Sequence, residues 1–301
     1  MYCPVNHSDM RIDNSLDVYI GQPPTGYLRH YSLDFGEAFG GHGVEHNNLW
    51  DGFNKAFSLS QAGRNLVTLG TLVEPWENLE FSRWPSIGAF EADAFDPAKW
   101  TDVYPYEPMQ RCQQADKYWA AKLVAAVTPA HLKTLIEAAE YNDPDAAQYL
   151  LDVLIERKRK VIDYSFGLVS PIEPVAVEGD KLFLRDLGLD IIGANLGNTK
   201  YEIHWFDSHK HEPHDFQLFR PGSEKLEILI PDRLLYRTDS YLRVDVWTWR
   251  GDKRSPSAAQ FHLRKGANTP LELVGVVHGT EPWLNSLCSE HHSDSTILVA
   301  D

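Results

Sequence analysis

His7-Ser8-Asp9-Met10-Arg11-Ile12-Asp13-Asn14 opens a stretch that closes on Asp34-Phe35-Gly36, and its reading decides the N-terminal half of the chain. Between the two lie Leu16 to Ile20, which alternates apolar and polar residues, and the β-rich Tyr27 to Leu33. Gly21-Gln22-Pro23-Pro24-Thr25-Gly26 supplies turn chemistry between them, so the segment is predicted to be a β-hairpin. An antiparallel pair returns the chain to where it started. Asp9 and Asn14 stand before that hairpin and Asp34 at its end.

Further along, residues 36 to 60 are rich in Gly, Asn and His and read as a loop, and Gln61 to Val73 reads as a strand or short helix. Residues 74 to 114 carry Pro75, Pro85, Pro97, Pro105 and Pro108 among Trp76, Trp84 and Trp100, which predicts an irregular wrap anchored by aromatic rings. Three helices should follow. Asp116 is read as the cap of the first, with Trp119, Leu123 and Val127 on its apolar stripe beside Ala120 and Val124. Thr128-Pro129 and Asp143-Pro144 start the other two, each a cap followed by Pro at the first helical position. Leu132, Leu135 and Ile136 mark one apolar face; Ala147, Leu150, Leu154 and Val161 mark the other. From about residue 166 short β-patterned runs recur between Gly, Pro, Asn and Asp, which favours an antiparallel sandwich.

The 301 residues suffice for two domains, and 43% apolar with 24% charged residues fits a globular protein. A net charge of −15 disfavours nucleic acid and anionic membrane, so neither is predicted as a partner. No apolar run reaches the ~20 residues of a membrane span, and the first residues lack signal-peptide character. Cys3, Cys112 and Cys288 form no C-x-x-C pair and suggest neither a disulfide framework nor a thiolate zinc site. No compartment is assigned.

The opening stretch has the parts of a phosphoryl-transfer site. That chemistry needs a carboxylate beside the acceptor hydroxyl, oxygen ligands for Mg²⁺, and a cation facing the γ-phosphate. Asp9 would orient the hydroxyl, Arg11 would face phosphate, and Asn14 with Asp34 would ligate the metal. His7 to Asn14 resembles the H-R-D-L-K-x-x-N catalytic loop of protein kinases, and Asp34-Phe35-Gly36 resembles their metal-binding D-F-G. More broadly, residues 6 to 41, the Trp84 to Tyr106 wrap and the Tyr118 to Ile162 helices resemble an uncharacterised family of large bacterial proteins. The resemblance implies a kinase-like C-lobe fragment over residues 1–165 followed by a β-rich region; with the β-patterned runs the chain reads as α+β, with an antiparallel β-sandwich-like domain over 166–283 and a flexible tail over 284–301. The resemblance also implies Mg²⁺ and ATP as cofactors, conditional on an N-terminal lobe or upstream domain of the same protein, because no Gly-rich phosphate loop or V-A-I-K lysine is present. The phosphate acceptor is not specified. Ser8 stands where many kinases carry Arg, and no clear A-P-E motif follows.

Other constellations compete with this one. His42-Gly43-Val44-Glu45-His46 fits the H-x-x-E-H pattern of inverted zinc peptidases, but neighbouring glycines oppose the helix that chemistry needs, and a polar loop beside the D-F-G turn is preferred. His204, His209, His211 and His214 suggest at most surface metal binding. Trp247 and Trp249 share one sheet face and are read as core, with a sugar-stacking platform as the alternative. Arg157 to Lys160 is read as a solvated helix-end charge run. The rival to phosphoryl transfer is a non-catalytic module whose β domain binds glycan or protein.

Overall fold

Alternation around the Pro-Gly turn produces the expected hairpin. β1 (Ser15–Ile20) pairs antiparallel with β2 (Tyr27–Ser32), placing Ser15 opposite Ser32 at the open end. The computed structural model describes residues 2–55, 58–104, 106–207, 215–219, 225–232, 240–266 and 269–279. These form a mixed α+β fold of helices and antiparallel sheets in two compact units, Met1–Ser165 and Phe166–Asp301. The tail expected over 284–301 lies outside the described residues.

In the first unit, β3 (Gly41–His42) and β4 (Glu45–His46) make a second, two-residue-strand hairpin. The ambiguous stretch after residue 58 is helical: α1 (Leu59–Thr68) starts where Ser58 Oγ accepts the Gln61 N–H at 3.3 Å. After the short α2 (Glu107–Gln110) come α3 (Gln114–Ala126), α4 (Pro129–Ala138) and α5 (Pro144–Phe166). The starts of α4 and α5 follow the sequence reading. Thr128 Oγ1 accepts the His131 N–H at 3.1 Å, and Asp143 Oδ1 accepts the Asp145 N–H at 2.9 Å.

Helix α3 departs from that reading. Its cap is Gln113, and Asp116 sits three residues in, accepting the Gln113 N–H at 2.8 Å from the other side of a capping box. Its buried side chains are Tyr118 and Ala121, while Trp119 and Leu123 face outward. Apolar periodicity finds a stripe but not what the stripe meets.

The unit's core packs Ile87 and Phe90 of the aromatic wrap against Ile136 of α4 and Leu150, Val153 and Leu154 of α5. Trp84 lies on Tyr149 with centroids 5.0 Å apart, and its Nε1 donates to Asp143 at 2.8 Å. Gly88 passes so close to the Gly40 backbone that a Cβ would strike its carbonyl oxygen.

The basic run on α5 is not a solvated face. Arg157 is 4% exposed and donates to the carbonyls of Pro4 at 2.8 Å, Glu91 at 2.8 Å and Cys3 at 3.0 Å. Its guanidinium lies 3.6 Å from the Phe95 ring centroid. Burial pulls its pKa down to about 10. Lys160 Nζ donates to the carbonyls of Ala92, Asp93 and Phe95. Together these two cations replace a hydrogen-bonding strand partner for an otherwise irregular wrap.

The second unit contains two antiparallel sheets. One has three strands in the order β5 (Ile172–Glu178), β6 (Lys181–Asp186), β9 (Lys225–Leu229). The other, six-stranded, runs β13 (Leu271–His278), β12 (Ala259–Lys265), β10 (Ser240–Arg250), β7 (Thr199–Asp207), β8 (Asp215–Phe219), with β11 (Lys253–Arg254) on β10. Ile172, Leu182 and Leu226 from the first sheet share one core with Trp205, Val244 and Phe261 from the second.

Alternation along β10 buries Leu242, Val244 and Val246 and turns Trp247 and Trp249 to the opposite, half-exposed face. The core reading of that tryptophan pair is therefore corrected. Arg254 lies over Trp247 at 4.1 Å, and Trp249 Nε1 donates to Glu202 at 2.9 Å. His204 lies 3.0 Å from Glu202; His209, His211 and His214 lie outside the described residues.

On the face of the Trp pair, burial pushes the Asp245 carboxyl from 3.8 up to about 6, and Arg243 at 3.0 Å only partly offsets it. The folded chain then binds the proton more tightly than the unfolded chain. This group's stabilising contribution is full below pH 3.8 and lost as pH rises through 6. Chemical denaturation of wild type and Asp245→Asn at pH 4 and 7.5 should show the difference, wild type minus variant, moving in favour of wild type by ~2–3 kcal/mol at the lower pH. A pH-independent difference would contradict the assignment.

Candidate functional site

The loop from Asn6 to Asn14 is held at both ends by backbone. A left-handed Asn6 (φ 52°) ends a 3₁₀ turn over Cys3–Val5, and a second 3₁₀ turn, Ile12–Asn14, feeds directly into β1. Asn6 Nδ2 donates to the Asp51 carbonyl at 3.2 Å while its Oδ1 accepts from Trp100 Nε1 at 2.9 Å. The Val103 N–H donates to the Ser8 carbonyl at 2.9 Å, so the aromatic wrap supports the loop from outside.

Three of the four expected site residues meet directly. Asp9, 4% exposed, accepts at Oδ2 from Arg11 Nη2 at 2.9 Å and from Asn14 Nδ2 at 3.0 Å, and Arg11 Nε lies 2.9 Å from its Oδ1. Asn14 Nδ2 also donates to the Asp9 backbone carbonyl at 2.9 Å. Arg11 thus lies on the Asp9 carboxylate, with its guanidinium 5.2 Å from the Tyr104 ring.

Asp34 arrives through the hairpin. The Leu33 N–H donates to the Asn14 carbonyl at 2.9 Å, continuing the ladder to the residue before Asp34. Asp34 is exposed and left-handed (φ 52°), and its Oδ1 accepts the Gly36 N–H at 3.0 Å. Its side chain makes no direct hydrogen bond to the Asp9 group. A ring contact nevertheless joins the two halves: fully buried His7 lies 5.2 Å from Phe35 and 5.5 Å from Tyr2, centroid to centroid.

Two further carboxyls, Glu37 and Asp51, feel the Asp9 charge, and neither carries a motif that marks it. Burial raises Glu37, with the Asp9 charge adding to it and His42 opposing it at 2.8 Å. Burial also raises Asp51, offset chiefly by hydrogen bonds from Asn48.

His42-Gly43-Val44-Glu45-His46 is a hairpin tied to the D-F-G turn by the Gly43 N–H donating to the Gly36 carbonyl at 3.1 Å. His42 pairs with Glu45 and Gly41 with His46, so the two imidazoles fall on opposite faces. His46 instead packs on Phe81 at 4.1 Å. Among the described residues, no three His, Cys, Asp or Glu side chains gather as a metal cage.

The two residues expected to ligate Mg²⁺ each keep a side-chain oxygen that no protein donor takes among the described residues. Asn14 spends its amide nitrogen on Asp9, leaving its carbonyl Oδ1 without a hydrogen-bond donor among the described residues, and Asp34 spends only Oδ1. One carboxylate and one amide oxygen, completed by water and phosphate oxygens, is the donor set hard Mg²⁺ takes at nucleotide sites. No protein-family model matches the chain, and no curated protein matches it.

Proposed function

We propose that residues 1–165 form the catalytic half of a kinase-like phosphotransferase, and that transfer from ATP requires a nucleotide-binding lobe joined to it. The observation that carries this reading is the Asn14 side chain. Its amide nitrogen is fixed on Asp9 and its oxygen is left for a metal, at the hairpin end that also delivers Asp34.

In this reading Mg²⁺ neutralises the phosphate oxygens. Asp9 orients the acceptor hydroxyl and takes its proton at Oδ2, the oxygen now bonded to Arg11. Arg11 leaves that carboxylate for the γ-phosphate, uncovering Asp9 as its own charge is matched by the donor. His7 and Phe35 hold the two halves of the site in register.

The glycan-binding alternative finds less support. Trp247 is half-exposed, but Arg254 covers its ring.

Manganese resonance provides the test on this chain. With Mn²⁺ and no nucleotide, wild type should take up one weakly held ion, and Asn14→Ala and Asp34→Asn should each weaken that uptake by about tenfold or more. Equal uptake by wild type and both variants would overturn the metal assignment.

A further inference from the structure

A cavity of about 520 Å³ lies away from the Asp9 group, walled by the Tyr2-Cys3 segment, the wrap at residues 97–102, and helices α2, α3 and α5. Its volume is that of a small-molecule site. Its lining is mainly apolar and rich in aromatic rings, among them Trp100, Trp119 and Tyr164. The outward stripe of α3, expected to be core, faces this space: Trp119, Ala120 and Val124 line it. Burial pushes the Cys3 thiol on the opposite wall up to about 12, in keeping with a weakly polar interior.

The charged groups of the wall divide unequally. Asp102 lies 3.9 Å from Lys55 and accepts the Tyr106 N–H at 3.2 Å; Asp116 is committed to the Gln113 N–H. Lys117 is different. Its Nζ has one long hydrogen bond, to Tyr164 Oη at 3.5 Å, lies 5.6 Å from the Tyr164 ring centroid, and among the described residues has no carboxylate within ion-pair distance. An ammonium among aromatic rings without an anion lacks the partner that half-buried charges usually have.

We infer that this cavity binds a planar aromatic carboxylate, its ring among Trp100, Trp119 and Tyr164 and its carboxylate on Lys117. Ring stacking supplies the apolar contact, and the charge-assisted hydrogen bond selects the anion. The inference is independent of the phosphoryl-transfer reading, since none of Asp9, Arg11, Asn14 or Asp34 lines the cavity.

The probe is 2-naphthoate, with neutral 2-naphthylmethanol as its isostere, titrated into the full chain by calorimetry. Wild type should bind one naphthoate saturably. Lys117→Met should weaken naphthoate by about tenfold or more and leave naphthylmethanol binding unchanged, which also reports that the variant is folded. Lys117→Arg should restore most of the loss. Saturating naphthoate should slow maleimide labelling of Cys112, a lining residue, read at its own peptide. Absence of saturable binding, equal naphthoate affinity in wild type and Lys117→Met, or unprotected Cys112 would each overturn the assignment.

Discussion

Arg157→Leu should lower the thermal midpoint of the Met1–Ser165 unit by about 10 °C or more, from a loss of ~3–5 kcal/mol. The substitution keeps an apolar stem against Phe90 and Phe95 but removes the guanidinium donors to the Cys3, Pro4 and Glu91 carbonyls, of which Cys3 keeps the Asn6 N–H at 3.2 Å. Each carbonyl left buried and unpaired costs ~1–3 kcal/mol, while relief of the desolvated charge returns part of it. Arg157→Lys should recover less than half, because one ammonium cannot reproduce a planar fork reaching two separate segments. Hydrogen exchange at His7 to Asp9 should quicken in both variants, since the Cys3–Val5 turn that launches this loop hangs from Arg157. A midpoint shift below about 3 °C for Arg157→Leu would sink this account of the unit's stability.

Asp34→Asn should lower Mg²⁺-ATP turnover by about 10³-fold, measured in a chain that carries a nucleotide-binding lobe. That corresponds to ~4 kcal/mol of lost transition-state stabilisation. Asparagine suits the comparison because it tolerates the left-handed backbone and keeps the oxygen that accepts the Gly36 N–H. Only the metal-facing charge changes. The melting profile should stay within about 1 °C of wild type, as expected for an exposed side chain with one local bond. Unchanged turnover would remove Asp34 from the site; turnover and melting falling together would make it a structural residue instead.

The sequence was most legible where local chemistry decides local structure. Alternation flanking Gly21 to Gly26 specified the hairpin, and Thr128-Pro129 and Asp143-Pro144 specified two helix starts, because caps and turns act within four residues. Legibility failed where a side chain's surroundings come from elsewhere in the chain. Arg157 reads identically whether solvated or roofed by two carbonyl-bearing segments more than sixty residues away. Trp119 lies on a sound apolar stripe, yet the wall opposite leaves room and the stripe lines a cavity. Trp247 and Trp249 share a face, as their spacing predicts, but it is the half-exposed side, since alternation alone does not say which side is core.

The site divides in the same way. Asp9, Arg11 and Asn14 are close in sequence and meet, and the hairpin register brings Asp34 to their end. Asp51 joins through tertiary packing, and Glu37 directly follows Gly36, yet no motif marks either of them. That Arg11 would rest on Asp9 was likewise invisible, because a guanidinium two residues from a carboxylate can face either it or a ligand.

The most direct test of a shared metal at the hairpin end is anomalous diffraction at the manganese edge, from crystals of this chain soaked in Mn²⁺. Expected is one peak within coordination distance, about 2.1–2.3 Å, of both Asn14 Oδ1 and an Asp34 carboxylate oxygen. A manganese peak held by other residues, with Asn14 and Asp34 both uncoordinated, would contradict it.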